Sequence, residues 1–333
     1  MYRFIRPLFW HLDPERAHHW VLTMLRYLPT VFFPKIEPKP RQVMGMTFPH
    51  AIGLAAGFDT NALYLEALSK LQFAFIEVGG VTPNPQRGHP KPRLFRLTEV
   101  HALINRMGFC NQGVDALVER LKHTTYHGIL GVNIAKNKDT LLEDASKDYI
   151  VCMQKLYPYA SYLTINISSP NMPNLRDLQK TEYFFMLMSA LREEQLHLAD
   201  VHGKYVPLVV KLSPDESDEA LKRMGHALVS LGIDGIIATN TTVNRDMVHD
   251  LPHGLELGGL SGRPLTSRAT ACLSLLRKEV GDSIAMISSG GIDNPDLAQE
   301  RMAAGANLLQ IYTGLVYEGP SLVHLLAEGV VVV

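Results

Sequence analysis

The densest group of polar side chains capable of chemistry lies in the middle of the chain, directly after an apolar run. It is the segment Ile165-Asn166-Ile167-Ser168-Ser169-Pro170-Asn171, which places hydroxyls and amides in a proline-constrained loop. Asparagines of this kind can hold a planar substrate that offers several hydrogen-bonding edges. By composition alone, however, a turn rich in Asn and Ser is more often only a turn. The segment is therefore a candidate substrate loop.

A single lysine ends another apolar run, Leu208-Val209-Val210-Lys211. A charge at that position would serve no purpose unless it faced a ligand or a partner. A lysine beside a bound cofactor could stabilise negative charge on that cofactor electrostatically. The alternative is an ion pair with a neighbouring carboxylate.

Glycines and hydroxyls follow the last two apolar runs, in Ser288-Ser289-Gly290-Gly291-Ile292 and Tyr312-Thr313-Gly314. If these runs are the last two strands of a barrel, their ends lie where barrel proteins commonly bind a phosphate, because backbone N–H groups there can bind the anion. Each glycine group alone is weak evidence, because glycines also occur in ordinary turns. No run is followed by a GxGxxG turn, so flavin mononucleotide (FMN) suits the pattern better than a dinucleotide.

The elements that would position these residues are short apolar runs that alternate with longer helical patterns. Eight such runs can be counted, at residues 51–55, 73–78, 129–134, 162–167, 206–211, 235–239, 285–288 and 308–312. Nearly all of them are followed by polar or glycine residues, as expected for the catalytic rim of a barrel. We therefore predict an α/β protein with a closed (β/α)₈ TIM barrel over residues 41–333; a doubly wound open sheet is the alternative.

Residues 1–40 differ from the barrel and form a predicted N-terminal helical segment. Asp13 and Pro14 are typical of a helix start. The apolar positions recur at helical spacing and are accompanied by arginines, a composition suited to a lipid headgroup layer; the positions are Ala17, Trp20, Val21, Met24, Leu25 and Leu28, and the arginines are Arg3, Arg6, Arg16 and Arg26. A helix that simply packs on the barrel is the alternative. We expect neither a signal peptide nor a transmembrane helix, because charged residues interrupt the segment.

The bulk composition argues against several other classes of protein. The formal net charge of -1 gives no field that would attract nucleic acid. The three cysteines have no CxxC spacing, and the 14 histidines form no HExxH pattern. We therefore expect no disulfide framework, no metal site and a reducing compartment.

The whole chain resembles the quinone-linked dihydroorotate dehydrogenases, through separate motifs that occur in the same order. The motifs are Leu12-Asp13-Pro14-Glu15-Arg16-Ala17-His18, Gly53-Leu54-Ala55-Ala56-Gly57-Phe58-Asp59, Lys91-Pro92-Arg93-Leu94-Phe95-Arg96, Ile104-Asn105-Arg106-Met107-Gly108-Phe109, Asn133 with Lys136-Asn137-Lys138-Asp139, the Ser169 loop, Ala238-Thr239-Asn240-Thr241-Thr242 and Gly258-Gly259-Leu260-Ser261-Gly262-Arg263-Pro264.

The resemblance implies oxidation of dihydroorotate to orotate in pyrimidine (UMP) synthesis, with hydride passing to FMN and electrons then passing to a membrane quinone. Ser169 would be the base that removes the C5 proton, where soluble relatives use cysteine. Substrate contacts would come from Asn105, Arg106, Met107, Gly108, Phe109, Asn166, Asn171, Asn240 and Thr241. Flavin contacts would come from Ala56, Gly57, Phe58, Asp59, Asn133, Asn166, Lys211, Thr239, Gly262, Gly291, Tyr312 and Thr313.

The resemblance also implies that residues 1–40 form a membrane-docked vestibule for the quinone, with His18, Arg96 and Tyr312 near its inner end. The protein would then be a monomer that lies peripherally on the cytoplasmic face of a bacterial inner membrane.

The chain departs from the family pattern at several positions. Thr60 stands where the family has a lysine that reaches both flavin and substrate, and Gly80 stands where Thr or Ser usually lies beside the flavin. Cys110 replaces an asparagine, and the valine run at 330–333 is unlike a family ending. Two other hypotheses follow. One is an FMN-binding homologue with impaired or lost catalysis because of Thr60, and the other is a barrel flavoenzyme with a different substrate or electron acceptor.

Overall fold

The computed structural model describes residues 2–330, and for residues 3–5 it describes the backbone alone. The side chain of Arg3 and the end of the valine run at 331–333, both noted above, therefore lie outside the described part of the chain.

Eight parallel strands form a closed barrel, which confirms the predicted fold and makes the open-sheet alternative wrong. They are β3 (Ile52–Leu54), β4 (Phe75–Val81), β7 (Ile129–Ile134), β8 (Tyr162–Asn166), β9 (Leu208–Leu212), β10 (Gly235–Ala238), β12 (Ala285–Ser289) and β13 (Leu308–Ile311). Each strand pairs with the next in chain order, and β13 pairs with β3 to close the ring. All eight fall within or beside the predicted apolar runs.

Five short strands lie outside the barrel, and the sequence did not predict them. An antiparallel pair, β1 (Arg41–Val43) and β2 (Met46–Phe48), places Phe48 against Phe75 of the barrel interior, with ring centroids 5.4 Å apart. A second sheet joins β5 (Leu94–Leu97), β6 (Ala102–Asn105) and β11 (Gly259–Gly262). The hairpin closes one end of the barrel, and the three-stranded sheet extends from the other.

Helices cover the barrel strands from outside. They are α3 (Leu65–Ser69), α4 (Gly113–His123), α5 (Ala145–Leu156), α6 (Thr181–His202), α7 (Asp218–Ser230), α8 (Thr266–Val280), α9 (Pro295–Ala303), α10 (Thr313–Glu318) and α11 (Ser321–Gly329). Short 3₁₀ turns lie at Thr30–Phe32, Thr98–Val100, Leu175–Gln179 and Arg263–Leu265. The strands are buried on both sides, which explains their continuous apolar runs.

The N-terminal segment contains α1 (Tyr2–Trp10) and α2 (Pro14–Tyr27). Asp13 caps α2 by accepting a hydrogen bond from the Arg16 N–H at 3.0 Å, as its sequence predicts. The apolar residues of α2 divide between two faces. Ala17, Leu22 and Leu25 are buried, whereas Trp20 is 61% exposed and Met24 53% exposed. The sequence predicted a single apolar face on this helix. That prediction is wrong in detail, since only part of the face packs inside the protein.

None of the described helices is long and apolar enough to cross a membrane. The boundary between residues 40 and 41 stays a prediction. The segment before it is tied to the barrel by Glu15 of α2, whose carboxylate accepts hydrogen bonds from Arg93 Nε at 2.8 Å and Arg93 Nη2 at 3.1 Å.

Candidate active site

A cavity opens at the carboxyl ends of the barrel strands, which is where barrel enzymes hold their reacting groups. Residues singled out from the sequence supply much of its lining. They are Ala56, Gly57, Thr60, Gly80, Asn105, Met107, Phe109, Asn166, Ser169, Lys211, Thr239, Asn240, Thr241, Gly262, Gly291, Tyr312 and Thr313. Leu94, Leu103, Cys110, Leu265, Ser289, Gly290, Ile292, Gln310, Ile311 and Gly314 complete most of the wall.

A continuous row of side-chain amides leads from the buried Asn133 to the cavity. Asn166 Nδ2 donates to Asn133 Oδ1 at 2.9 Å, and Asn240 Nδ2 donates to Asn166 Oδ1 at 3.3 Å. On the opposite wall, Asn171 Nδ2 donates to Asn105 Oδ1 at 2.9 Å. Barrel strands β7 and β8, the antiparallel strand β6 and two loops thus bring amides from distant parts of the chain together, which suits a polar ligand with several hydrogen-bonding edges.

Ser169 lies on this wall with 8% of its surface exposed. Its Oγ accepts a hydrogen bond from the backbone N–H of Asn171 at 3.3 Å. Arg176 holds the loop in place by donating to the Ser168 carbonyl at 3.1 Å and the Thr241 carbonyl at 3.0 Å, and it pairs with Asp215 at 2.8 Å. The Ser169 side chain is therefore largely enclosed.

Lys211 lines the same cavity and is 6% exposed. Burial lowers the pKa of Lys211, and the nearby charge of Glu77 opposes that shift. Among the described residues that line the cavity, Lys211 carries the sole formal charge. No described carboxylate forms a salt bridge with it, so the ion-pair alternative raised from the sequence lacks a direct partner.

Glycines at the ends of β11 and β12 occupy positions where a side chain would meet neighbouring protein atoms. A Cβ on Gly290 would lie 2.9 Å from Leu265 Cδ2, and one on Gly291 or Gly262 would collide with Thr266 or the His101 carbonyl. All three glycines have positive φ angles, at 113°, 77° and 95° respectively. These backbone conformations therefore favour glycine, since another residue would be strained in φ and would crowd its neighbours.

Several residues singled out from the sequence do not place their side chains in the cavity. Arg106 points away from it and pairs with Glu256 at 2.6 Å. Asp59 is buried and accepts hydrogen bonds from the N–H groups of Leu63 at 2.8 Å and Tyr64 at 2.7 Å. Gly108 packs against the ring of His89. These three have a structural role in this arrangement.

His18, Phe58 and Tyr312 form a row of rings from α2 to the cavity. The His18 and Phe58 centroids lie 4.8 Å apart, and those of Phe58 and Tyr312 lie 5.1 Å apart. His18 Nε2 donates to the Phe58 carbonyl at 2.8 Å, and burial lowers the pKa of His18 to about 4. Burial raises the pKa of Tyr312 to about 12, so its hydroxyl stays protonated.

Arg96 lies farther out than these rings. Its guanidinium sits over the Trp10 ring, 4.9 Å from the centroid, and donates to the Leu12 carbonyl at 2.9 Å. It therefore fixes the link between α1 and α2.

The three internal departures from the family pattern line one and the same cavity, although they are far apart in sequence. Thr60, Gly80 and Cys110 are all part of its wall. Burial raises the pKa of the Cys110 thiol, so the cysteine is uncharged there. The departures therefore act on one site.

Gln310 lines the cavity and Glu77 lies directly behind it, but the sequence pattern was not used to predict either residue. Both lie inside buried barrel strands, and Gln310 Nε2 donates to Glu77 Oε2 at 2.6 Å. The available signal was a polar residue within an otherwise apolar run, in Phe75-Ile76-Glu77-Val78 and Leu308-Leu309-Gln310-Ile311. That signal was strong, because a carboxylate is rarely buried without a partner.

One described group of potential metal ligands, His101, Asp293 and Glu318, has ligand atoms within 4.8 Å of one another. Asp293 is already engaged, since Arg263 Nε donates to it at 2.6 Å and Asn294 Nδ2 at 2.9 Å. The group is therefore best described as an ion-pair cluster.

The chain is similar to known proteins over nearly all of its length. The profile of the family described as dihydroorotate dehydrogenase matches residues 40–332. The dihydroorotate dehydrogenase (quinone) of Legionella pneumophila (strain Corby) is 55% identical over 329 residues, covering 99% of each chain. That of Acinetobacter baylyi is 48% identical over 325 residues, covering 97% of each chain.

Solved structures agree with these sequence relatives. The DHODH of Eimeria tenella in complex with ferulenol has a TM-score of 0.89 at 36% identity, covering 95% of this chain and 90% of that one. The ligand-free form has a TM-score of 0.88 at 38% identity, covering 95% and 94% respectively. With its closed barrel and this strand-end cavity, the chain belongs to the quinone-linked class of the dihydroorotate dehydrogenase family.

Proposed function

We propose that this protein oxidises dihydroorotate to orotate in pyrimidine biosynthesis and passes the electrons through FMN to a membrane quinone. The observation that carries the proposal is the enclosed cavity in which Ser169, Lys211 and facing pairs of asparagines meet. The relatives described above are named for this activity. They give no support to the alternative of a flavin-binding homologue without catalysis.

The residues present fit FMN. Gly262, Gly290 and Gly291 line the cavity in positive-φ conformations, and backbone N–H groups at such strand ends suit a phosphate. Lys211 places a buried cation deeper in the same cavity, and the Oε1 atom of Gln310 is buried there without a partner among the described residues. When bound, FMN supplies the acceptor for the C6 hydride and the carrier for the electrons that reach the quinone.

The substrate ring is held between the two amide walls. Asn105 and Asn171 bind one side, and Asn166 and Asn240 bind the other. The Asn171 side chain has capacity to spare, because its Oδ1 is buried without a partner among the described residues. Planar recognition by several amides orients C5 toward Ser169.

Ser169 Oγ takes the C5 proton while its own hydroxyl proton passes along a relay to solvent. The Asn171 backbone N–H that donates to Oγ at 3.3 Å stabilises the negative charge that Oγ gains as its own proton leaves. Arg176 keeps the loop closed, so that water is excluded from the serine. Lys211 supplies positive charge where reduction of the flavin creates negative charge.

The N-terminal segment provides the approach for the quinone. Its outer surface is unusually apolar, with Leu8 69% exposed, Tyr27 79%, Val31 84% and Phe32 63%. An apolar surface of this kind, flanked by arginines, suits a lipid headgroup layer. The row of His18, Phe58 and Tyr312 rings leads from this surface to the cavity. The protein would act as a monomer, peripherally bound to the cytoplasmic face of a bacterial inner membrane.

The decisive experiment is an anaerobic titration of the FMN-loaded protein with dihydroorotate, followed by addition of a soluble quinone. Bleaching of the flavin absorbance followed by recovery with quinone is the expected result. Bleaching without recovery would indicate a different electron acceptor. Absence of bleaching, both in this chain and in a Thr60→Lys variant, would reject the substrate.

Thr60→Lys tests how the absence of the family lysine at position 60 affects this activity. A charge-assisted hydrogen bond contributes about 1.5 to 3 kcal/mol, so restoring the family lysine should raise kcat/KM about ten- to a hundredfold. Thr60→Met is the matched control, because it adds length without charge. A Thr60→Lys variant no faster than Thr60→Met would show that the charge is supplied in another way.

Membrane docking is tested by flotation with vesicles of mixed neutral and anionic phospholipid. The protein should float with the vesicles, and a Trp20→Glu/Met24→Glu variant should stay in the soluble fraction because it buries charge in the lipid layer. Leu141→Glu/Leu255→Glu is the control, since both side chains are exposed on barrel loops. Equal flotation of both variants would overturn the assignment of the docking face.

A further inference from the structure

The row of hydrogen-bonded side-chain amides ends at a buried carboxylate beneath the cavity floor. Glu77 is fully buried in β4 and accepts three hydrogen bonds. Asn133 Nδ2 donates to its Oε1 at 2.9 Å, whereas Tyr162 Oη and Gln310 Nε2 donate to its Oε2 at 2.9 Å and 2.6 Å. A carboxylate with this set of donors acts only as an acceptor.

This restriction passes from one amide to the next. Since Glu77 accepts, the NH₂ of Asn133 must face it, and the Asn133 oxygen must face Asn166. That oxygen accepts from Asn166 Nδ2 at 2.9 Å, so the Asn166 oxygen is turned toward the donors above it. These donors are Asn240 Nδ2 and the Ser168 N–H, each at 3.3 Å. Each amide thus has one orientation in which all contacts are made.

We propose that Glu77 is a positioning residue that sets the donor and acceptor pattern that Asn133 and Asn166 present to flavin and substrate. The inference rests on the proposed function, because it concerns the ligands of that site. Glu77 itself touches neither ligand; it acts through Asn133. An amide has nearly the same shape in both orientations, so shape alone does not select one, whereas a buried acceptor-only group does.

The charge of Glu77 has a second consequence at the same floor. Lys211 projects into the cavity from β9, and Glu77 is the acidic group whose charge favours its protonated form. One buried carboxylate therefore serves both the amide row and the lysine. A neutral residue of the same size would serve neither.

The first test compares Glu77→Gln with Tyr162→Phe by titrating the FMN-loaded proteins with orotate and following the flavin absorbance. Glu77→Gln preserves size but offers a donor to one side, so orotate should bind about tenfold more weakly, as for loss of one well-formed hydrogen bond. Tyr162→Phe removes a donor on the far side of Glu77 and leaves the amide row intact. Its orotate affinity should stay within about threefold of the parent.

A rescue variant separates orientation from general damage. In Glu77→Gln/Asn133→Asp, the new amide donates to an acceptor-only group at 133, which can again accept from Asn166. The double variant should bind orotate more tightly than either single variant. Asn133→Asp alone should bind it poorly, because two carboxylates then face each other. Normal binding by Glu77→Gln, or a double variant that binds orotate no more tightly than the better single variant, overturns the proposal.

A ligand-free measurement keeps the inference separate from the proposed function. Neutron diffraction from deuterated crystals distinguishes the nitrogen and oxygen of an amide, which X-ray data at ordinary resolution do not. The deuterons of Asn133 should face Glu77, and those of Asn166 should face Asn133. If the Asn133 deuterons instead face Asn166, the inference is wrong, whatever ligand the protein binds. If the parent protein shows no response to orotate yet has this arrangement, the proposed function fails and the inference about the amide row stands.

Discussion

The ring of Phe109 fills the space beside the Cα of Gly80. A Cβ on Gly80 would lie 2.7 Å from Phe109 Cε1 and 3.2 Å from Asn133 Oδ1. Phe109 itself adopts a left-handed backbone conformation with φ 49°, which is uncommon for a bulky residue. The departure at position 80 and the position of the Phe109 ring are therefore linked, and both line the cavity.

This link predicts that the family residue at position 80 does not suit the present cavity. Gly80→Thr should destabilise the protein by about 1 to 3 kcal/mol, because the added atoms overpack the site. Thermal unfolding and FMN content would measure the effect. In the Phe109→Ala variant, the added Gly80→Thr change should cost less stability than it does in the parent protein. An equal cost in both backgrounds would contradict the link.

The closure of the serine loop depends on Arg176, which joins the Ser168 carbonyl, the Thr241 carbonyl and Asp215. We expect Arg176→Ala to raise the KM for dihydroorotate about tenfold, because the loop loses three charge-assisted contacts. Steady-state kinetics and orotate titration would both report it.

Lys180→Ala is the matched control for the loop, since Lys180 is exposed on the same segment and pairs with Asp177 there. Its KM should equal that of the parent. A similar rise in both variants would mean that any change to the segment opens the loop.

The attachment of the N-terminal segment depends on Glu15, whose side chain is 9% exposed beside Arg93. Glu15→Gln should lower the free energy of unfolding by about 3 kcal/mol, because the buried Arg93 guanidinium loses the negative charge that it pairs with. Lys91→Met should cost less than about 1 kcal/mol, since Lys91 is 59% exposed although it also contacts Glu15. Chemical denaturation measures both, and equal losses would contradict the difference in burial.

Acid should weaken the same attachment. Burial alone would raise the pKa of Glu15, but hydrogen bonds from Arg93 and Lys91 outweigh it and hold the pKa below its usual 4.5. The stabilisation is therefore present above pH 4.5 and is lost as pH falls through the lower pKa of the folded protein. Limited proteolysis of the N-terminal segment as a function of pH would show this. Glu15→Gln should remove the pH dependence.

His18 should give a different pH dependence. Burial lowers its pKa to about 4 from the usual 6.5, against the opposing effect of its hydrogen bond to Phe58. The unfolded chain takes up a proton below pH 6.5, whereas the folded protein does so near pH 4, so stability falls between these values as pH decreases. We expect a loss of about 1 to 3 kcal/mol across this window.

The melting temperature from pH 7 to pH 4 measures the His18 contribution. His18→Gln should flatten the decline, because glutamine can donate to the Phe58 carbonyl without titrating. His19→Gln is the control, since His19 is an exposed neighbour on the same helix. Equal slopes for the parent and His18→Gln would place the pH dependence elsewhere.

Much of the architecture could be predicted because it is encoded locally. A strand such as Ile129–Ile134 is apolar along its length, and polar residues such as Lys211 lie at or near the carboxyl end of their strands. Parallel strands in a closed barrel bring these ends together, so the sequence alone assigns the candidate catalytic and binding residues to one rim of the barrel. The motif resemblance then supplied the roles, which composition alone left open for the Ser169 loop.

The tertiary structure decided what local pattern does not encode. Arg106 belongs to the same motif as Asn105, yet its side chain pairs with Glu256, and only the fold brings those two together across 150 residues. Glu77 appeared in the sequence as one polar residue within an apolar run, and its partners Asn133, Tyr162 and Gln310 come from three other strands. The periodicity of a strand or helix is set by neighbours along the chain, whereas hydrogen-bond partners inside a barrel are set by strand register and burial. The sequence alone therefore determined the barrel and the edge that carries the site, and the tertiary structure decided which side chains face one another there.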